Sequence, residues 1–122
     1  NDIQLHGKPI VITFDDGSES IYTGAFPVLR SHGFKATVFL TFNYIDKKEM
    51  SEKSLLRSNP LSWGQIMEMR ESGISFESHS LTHPVLMNIG PDRARFEIEK
   101  SKALLESRLG GKVDFFSYWG RE

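Results

Sequence analysis

The sequence predicts an α/β fold in which parallel strands alternate with helices in the order βαβαβαβ. Three observations carry this. Strand-sized apolar runs recur between segments of helical periodicity, the helical segments close on glycine, and the chemically interesting polar residues fall where the strands end. Strands joined by helical crossovers lie parallel with right-handed connections, and ligands in such sheets bind at the carboxyl ends.

Pro9-Ile-Val-Ile-Thr-Phe14 is a continuous, largely β-branched run, the pattern of a strand buried on both faces. It ends at Asp15-Asp16-Gly17. A helix follows from about Ser20 to Ser31, with Ile21, Ala25, Val28 and Leu29 on one face and Gly33 marking its end. Lys35-Ala-Thr-Val-Phe-Leu40 is the second strand. Residues from about Asn43 to Pro60 are polar and irregular and read as a surface excursion. Ser62 suits the N-cap of a helix through Glu71, stopped by Gly73. Ile74 to Ser78 is a short third strand, followed by the loop His79–Pro84. Pro91 opens a helix that reaches Leu109 and closes on Gly110-Gly111, and Val113–Ser117 is the fourth strand.

A chain of 122 residues is one domain, and no Pro/Gly/Ser-rich stretch divides it. Fifteen basic and sixteen acidic residues leave a net charge of −1, which gives no electrostatic ground for nucleic acid or an anionic membrane as partner. The longest apolar runs, Pro9–Phe14 and Ala36–Phe42, are too short to span a bilayer. There is no cysteine, so disulfides, thiolate metal sites and cysteine nucleophiles are excluded together. Any metal must be held by histidine and carboxylate. The chain opens Asn1-Asp2-Ile3 without a basic and apolar leader, so a signal peptide is expected to be removed or never present.

The chemistry concentrates in two short segments. His79-Ser-Leu-Thr-His83 places two imidazoles four residues apart, which face one point if the segment makes roughly a helical turn. Neutral imidazoles at that spacing ligate zinc, and one carboxylate completes a set of three protein ligands with open positions. Asp15 and Asp16 supply that carboxylate from the end of the first strand. Adjacent residues leaving a strand point in different directions, so one acid can ligate while the other stays free as a base. The spacing does not say which is which. Both segments, together with Tyr118-Trp119 after the fourth strand, lie at carboxyl ends and so converge.

Thr13-Phe-Asp-Asp-Gly17 and Ser78-His-Ser-Leu-Thr-His-Pro84 together resemble the polysaccharide deacetylases, carbohydrate esterase family four, also called the NodB-homology domain. The connecting text is similar too, at Ala25-Phe-Pro-Val-Leu29, Gly33-Phe-Lys-Ala-Thr37 and Leu61-Ser-Trp63, so the resemblance runs from about Ile10 to Gly120. It implies a distorted (β/α) barrel, of which four strands make a part. It implies removal of acetyl groups from an N-acetylglucosamine polymer such as chitin, peptidoglycan or poly-N-acetylglucosamine, or from acetylxylan. By the same resemblance, Asp15 is the catalytic base, and Asp16, His79 and His83 hold Zn2+ or another divalent transition metal. Residence outside the cell or in its envelope is likewise implied by the family.

This sequence departs from the family pattern in two places. The third motif, Arg-x-Pro-Tyr-Gly or Phe-Ser-Tyr-Pro-Tyr-Gly in relatives, is here Phe116-Ser-Tyr-Trp-Gly120, without the proline or arginine. In relatives that loop lines the acetyl pocket, which makes Tyr118 and Trp119 the candidates for substrate contact. The later family segments, one of them Leu-x-His supplying a general acid, do not occur before Glu122, so the domain is expected to lack its C-terminal half. His6 and His32 offer no evident substitute: one lies in the N-terminal lead-in and the other at a helix end. An open sheet edge predicts self-association. The alternative function is a catalytically inactive carbohydrate-binding or assembly module that keeps the metal half-site, and a non-sugar amide is an alternative substrate.

Overall fold

The computed structural model describes residues 7–47 and 59–119. Three strands, β1 (Thr13–Phe14), β2 (Thr37–Leu40) and β3 (Ser75–Ser78), form one parallel sheet in that order. Helices α1 (Phe26–Ser31), α2 (Trp63–Glu71) and α3 (Pro91–Leu109) complete the α/β alternation. No helix among the described residues is long and apolar enough to cross a membrane.

The register aligns Phe14 with Val38 and Leu40 with Ser78. The residues that follow each strand, Asp15-Asp16, Thr41 and His79, therefore emerge together along one edge. Beneath that edge Val38, Leu40, Leu61, Ile66, Met69 and Leu105 are fully buried. Burying one such side chain contributes about 1.5–3 kcal/mol, so the sheet that carries these residues rests on a fully buried apolar layer.

Helix α2 begins as its sequence requires. The Ser62 hydroxyl accepts from the Gln65 N–H at 3.2 Å while the Gln65 side chain accepts from the Ser62 N–H at 2.9 Å, a reciprocal cap. Helix α3 runs between the predicted limits and ends at Gly110, whose φ of 66° is left-handed. Its buried stripe is Glu97, Ser101, Leu105 and Leu109, apolar at one end and polar at the other.

Four expectations need correction. The first strand is two residues long, and Ile10 and Val11 are 85% and 81% exposed rather than buried on both faces, because β1 is the edge of the described sheet. The second segment begins with a π-helical turn, Ile21–Ala25, before α1. In that wider turn the Phe26 N–H donates to the Ile21 carbonyl five residues back, and Phe26 and Leu29 are buried while Val28 is 58% exposed. The fourth strand reduces to one parallel bridge, Ser78 to Phe116. Its backbone groups are satisfied by side chains instead: Glu106 accepts from Val113 N–H, Lys102 donates to Val113 carbonyl, and Glu77 accepts from Asp114 and Phe115 N–H. Of the surface excursion, residues 48–58 lie outside the described part, as does His6. Its start is not peripheral: Phe42–Tyr44 form a 3₁₀ turn, and Phe42 and Ile45 pack against the core.

Candidate metal centre

Asp16 sits in a tight turn immediately beyond β1. Its φ is 70° and that of Gly17 is 81°, two successive left-handed residues that reverse the chain. The turn is pinned by Gly17 N–H to the Asp15 carbonyl at 2.9 Å and by Leu61 N–H to the Gly17 carbonyl at 2.8 Å. His79 and His83 come from the loop after β3, and they do not converge through a helical turn. Ser80 and His83 take φ of 73° and 63°, folding the loop back so that both rings face Asp16.

The resulting distances are short. Asp16 Oδ1 lies 3.3 Å from His79 Nε2 and 3.0 Å from His83 Nε2, and the two Nε2 atoms are 3.1 Å apart. Ligand atoms held about 2.0–2.1 Å from one ion stand about 2.9 Å apart in an octahedral set and about 3.3 Å apart in a tetrahedral one. The three donors thus fit a divalent ion. His79 Nδ1 is 2.9 Å from the Ser117 carbonyl, which can only accept. The proton therefore sits on Nδ1, and the Nε2 lone pair of the neutral ring faces the other donors.

Without an ion, the Nε2 atoms can carry protons toward the Asp16 carboxylate instead. Hydrogen bonds from His79 and then His83 hold the Asp16 carboxyl well below the usual carboxylate range, against the opposing effect of burial. Burial pushes His79 down, but the hydrogen bond with Asp16, the charge of Asp15 and the Ser117 carbonyl outweigh it and leave His79 above its ordinary 6.5. In the metal-free protein the two shifts act in opposite pH directions. Asp16 contributes stability above its ordinary 3.8 that is lost as pH falls; His79 contributes stability below 6.5 that is lost as pH rises through its raised value.

Of the sequence-predicted residues, Asp16, His79 and His83 are brought together. Asp15 is exposed, and its charge reaches His79. Trp119 packs on His83, with ring centroids 4.7 Å apart, whereas Tyr118 is 54% exposed. Two participants escaped the sequence reading. Tyr44 lies 6.0 Å from His83, ring to ring, and burial and then the Asp16 charge raise its hydroxyl pKa. Its position just after β2 was the available signal. Glu97, fully buried in α3, accepts from Leu81 N–H, Thr82 N–H and the Thr82 hydroxyl at 3.1, 2.8 and 2.7 Å. Nothing in the sequence separates it from the solvated glutamates of that helix.

Residues 2–120 match the family profile described as polysaccharide deacetylase. The chain is 35% identical over 111 residues to YxkH of Bacillus subtilis, a protein assigned to the polysaccharide deacetylases, covering 91% of this chain and 36% of that one. It is 38% identical over 74 residues to the poly-β-1,6-N-acetyl-D-glucosamine N-deacetylase of Staphylococcus epidermidis, covering 60% and 24%. Among solved structures, the Streptococcus pyogenes deacetylase PplD, in complex with acetate, superposes with a TM-score of 0.79 at 30% identity, covering 94% of this chain and 48% of that one. The chain thus spans 36% and 24% of the two curated relatives and 48% of the solved neighbour.

Proposed function

The chain belongs to the polysaccharide deacetylase family, and on that premise we propose that it carries the metal-binding part of a hydrolytic site that removes acetyl groups from a polysaccharide. The observation that supports this most directly is the convergence of one oxygen and two imidazole nitrogens, all within 4.8 Å of one another, at the carboxyl edge of a parallel sheet. Asp16, His79 and His83 would hold the ion, with zinc the natural choice for a His, His, carboxylate set. When bound, such an ion supplies Lewis acidity and lowers the pKa of water.

The chain's own residues supply the rest. Asp15, exposed beside the ligands, is the general base: it takes the proton from the water that attacks the acetyl carbonyl carbon. Asp16 cannot share that role while its oxygen faces two imidazoles. The Ser117 carbonyl keeps the His79 proton on Nδ1 and so preserves the ligand nitrogen. Trp119 forms an apolar wall beside His83, and it contacts the sugar together with Tyr118. The substrate class is an acetylated polysaccharide or oligosaccharide. Poly-β-1,6-N-acetylglucosamine, named for the S. epidermidis relative, is the first to test, ahead of chitin, peptidoglycan and acetylxylan. Such polymers lie outside the cell, so we assign the protein there or to the envelope.

A second reading, a carbohydrate-binding module without turnover, has one observation in its favour. Among the described residues the only imidazole besides His79 and His83 is His32, which caps α1 at the opposite end of the strands. Zinc titration combined with acetate release from acetylated oligosaccharides separates the two. About one zinc per chain is expected, lost in both His79→Ala and His83→Ala. Asp15→Asn should keep the zinc and stop any acetate release. Stoichiometric zinc binding that persists in both histidine variants refutes the ligand assignment. Sugar binding with no acetate release even from a protein that spans the full length of the family domain selects the second reading.

A further inference from the structure

The two histidines are not held in the same way. His79 is anchored three times over: its N–H donates to the Leu40 carbonyl at 2.9 Å, its carbonyl accepts from the Thr41 hydroxyl at 3.3 Å, and its Nδ1 meets the Ser117 carbonyl at 2.9 Å. His83 has no such support for its ring. Its Nδ1 is buried and lacks a hydrogen-bond partner among the described residues, and its backbone is in the left-handed region at φ 63°. Apart from ring packing against Trp119 and Tyr44, the direction of the His83 ring therefore depends on the backbone of residues 80–83.

That backbone is gripped from one side. Glu97, with no exposed surface, takes Leu81 N–H and Thr82 N–H on Oε2 and the Thr82 hydroxyl on Oε1. Its remaining contact is Arg93 at 3.3 Å, whose side chain is 59% exposed. A buried carboxylate costs several kcal/mol unless its oxygens are satisfied, and here the satisfying groups are almost entirely those of the loop between the two histidines. The Ser80 hydroxyl closes the same loop by accepting His83 N–H at 3.0 Å.

We propose that Glu97 is a positioning residue that sets the loop before any metal arrives and thereby aims His83, but not His79, at the metal position. This rests on the reading of Asp16, His79 and His83 as the ligand set, and the test keeps the two apart. Zinc affinity is measured for the wild-type chain, Glu97→Ala, His83→Ala and the double variant, with thermal melting of the metal-free proteins as a control for folding. If Glu97 acts through His83, Glu97→Ala loses about 10–100-fold in affinity, the usual range for groups that orient ligands. The weak binding that Asp16 and His79 alone retain in the His83→Ala background, short of one zinc per chain, then falls little further with Glu97→Ala, because the effect has already been removed. A loss that adds in full to that of His83→Ala, or no loss at all in a folded Glu97→Ala, overturns the inference. A wild-type chain that binds no zinc refutes the ligand set instead. Amide hydrogen exchange of the wild-type protein needs no variant. Leu81 and Thr82 should be protected in the metal-free state to the same degree as with zinc. Protection that develops only on adding zinc would mean that the metal builds the loop, and Glu97 does not.

Discussion

Gly17→Ala tests whether the turn that presents Asp16 needs its glycine. The residue has φ 81°, and an alanine there costs about 1–2 kcal/mol for the left-handed conformation. Its Cβ would also stand 2.8 Å from Leu40 Cδ2, and Leu40 has no exposed surface into which it could swing. Overpacking of that kind costs about 1–3 kcal/mol, so the two effects together remove about 2–5 kcal/mol. At about 4 °C per kcal/mol for a chain of this size, the melting temperature should fall by about 8–20 °C. Gly24 is the control: a Cβ there meets nothing within 4 Å, so Gly24→Ala should melt at or above the wild-type temperature. Circular dichroism melts of the metal-free proteins give both numbers, and a zinc titration of Gly17→Ala reports whether Asp16 has moved. A fall of less than about 2 °C, with zinc affinity unchanged, would show that the turn relaxes freely and would refute the argument.

Two further outcomes are expected. The metal-free protein should gain from the Asp16–His79 pair between the ordinary values of 3.8 and 6.5, so its melting-temperature advantage over Asp16→Asn should shrink as pH rises above that window. An advantage that instead grows from pH 6 to 9 would contradict the pairing. Zinc affinity should run the other way and increase with pH as His79 gives up its proton, which calorimetry at two pH values detects. The edge beside β1, where Ile10 and Val11 stand in solvent, should drive self-association of the isolated chain, most simply as a two-fold dimer. Sedimentation equilibrium decides this, with Ile10→Lys expected to shift the balance toward monomer; a wild-type monomer at all concentrations would refute it.

The elements set by strong local rules were legible in the sequence. The reciprocal cap of Ser62 and Gln65 and the run from Pro91 to Gly110 are decided by residues close in sequence, and both elements stand where those residues put them. The elements that depend on distant partners were not legible. Pro9–Phe14 reads as a buried strand from its own composition, yet burial needs neighbours on both sides, and among the described residues β1 has one. Val113–Ser117 has strand composition, but Glu77, Lys102 and Glu106 take the backbone groups that a ladder would use. The π-helical turn before α1 carries no periodic signature and shifts the buried face by one residue, to Phe26. At the site, the residue types announced the donors, because few other constellations use two histidines and paired acids. The groups that hold them, Glu97 and the Ser117 carbonyl, are a helical glutamate and a peptide oxygen, which look like any others in a sequence.

The site's geometry is stored mainly in the backbone. Among the described residues four non-glycine positions have positive φ, and three of them, Asp16, Ser80 and His83, belong to the ligand turns. Each costs about 1–2 kcal/mol, which a loop free to relax would not retain. They persist because the surroundings specify them: Leu61 N–H on the Gly17 carbonyl, the Ser80 hydroxyl on His83 N–H, and Glu97 on Leu81 and Thr82. Backbone contacts of this kind would place the three donors by folding, before any metal binds. An ion arriving at donors already so placed would gain its coordination energy without spending part of it on closing the loop. A helix can also aim two histidines four residues apart at one ion, but this loop is not helical. The left-handed residues of this loop instead bring the two Nε2 atoms to 3.1 Å, the separation that a shared ion requires.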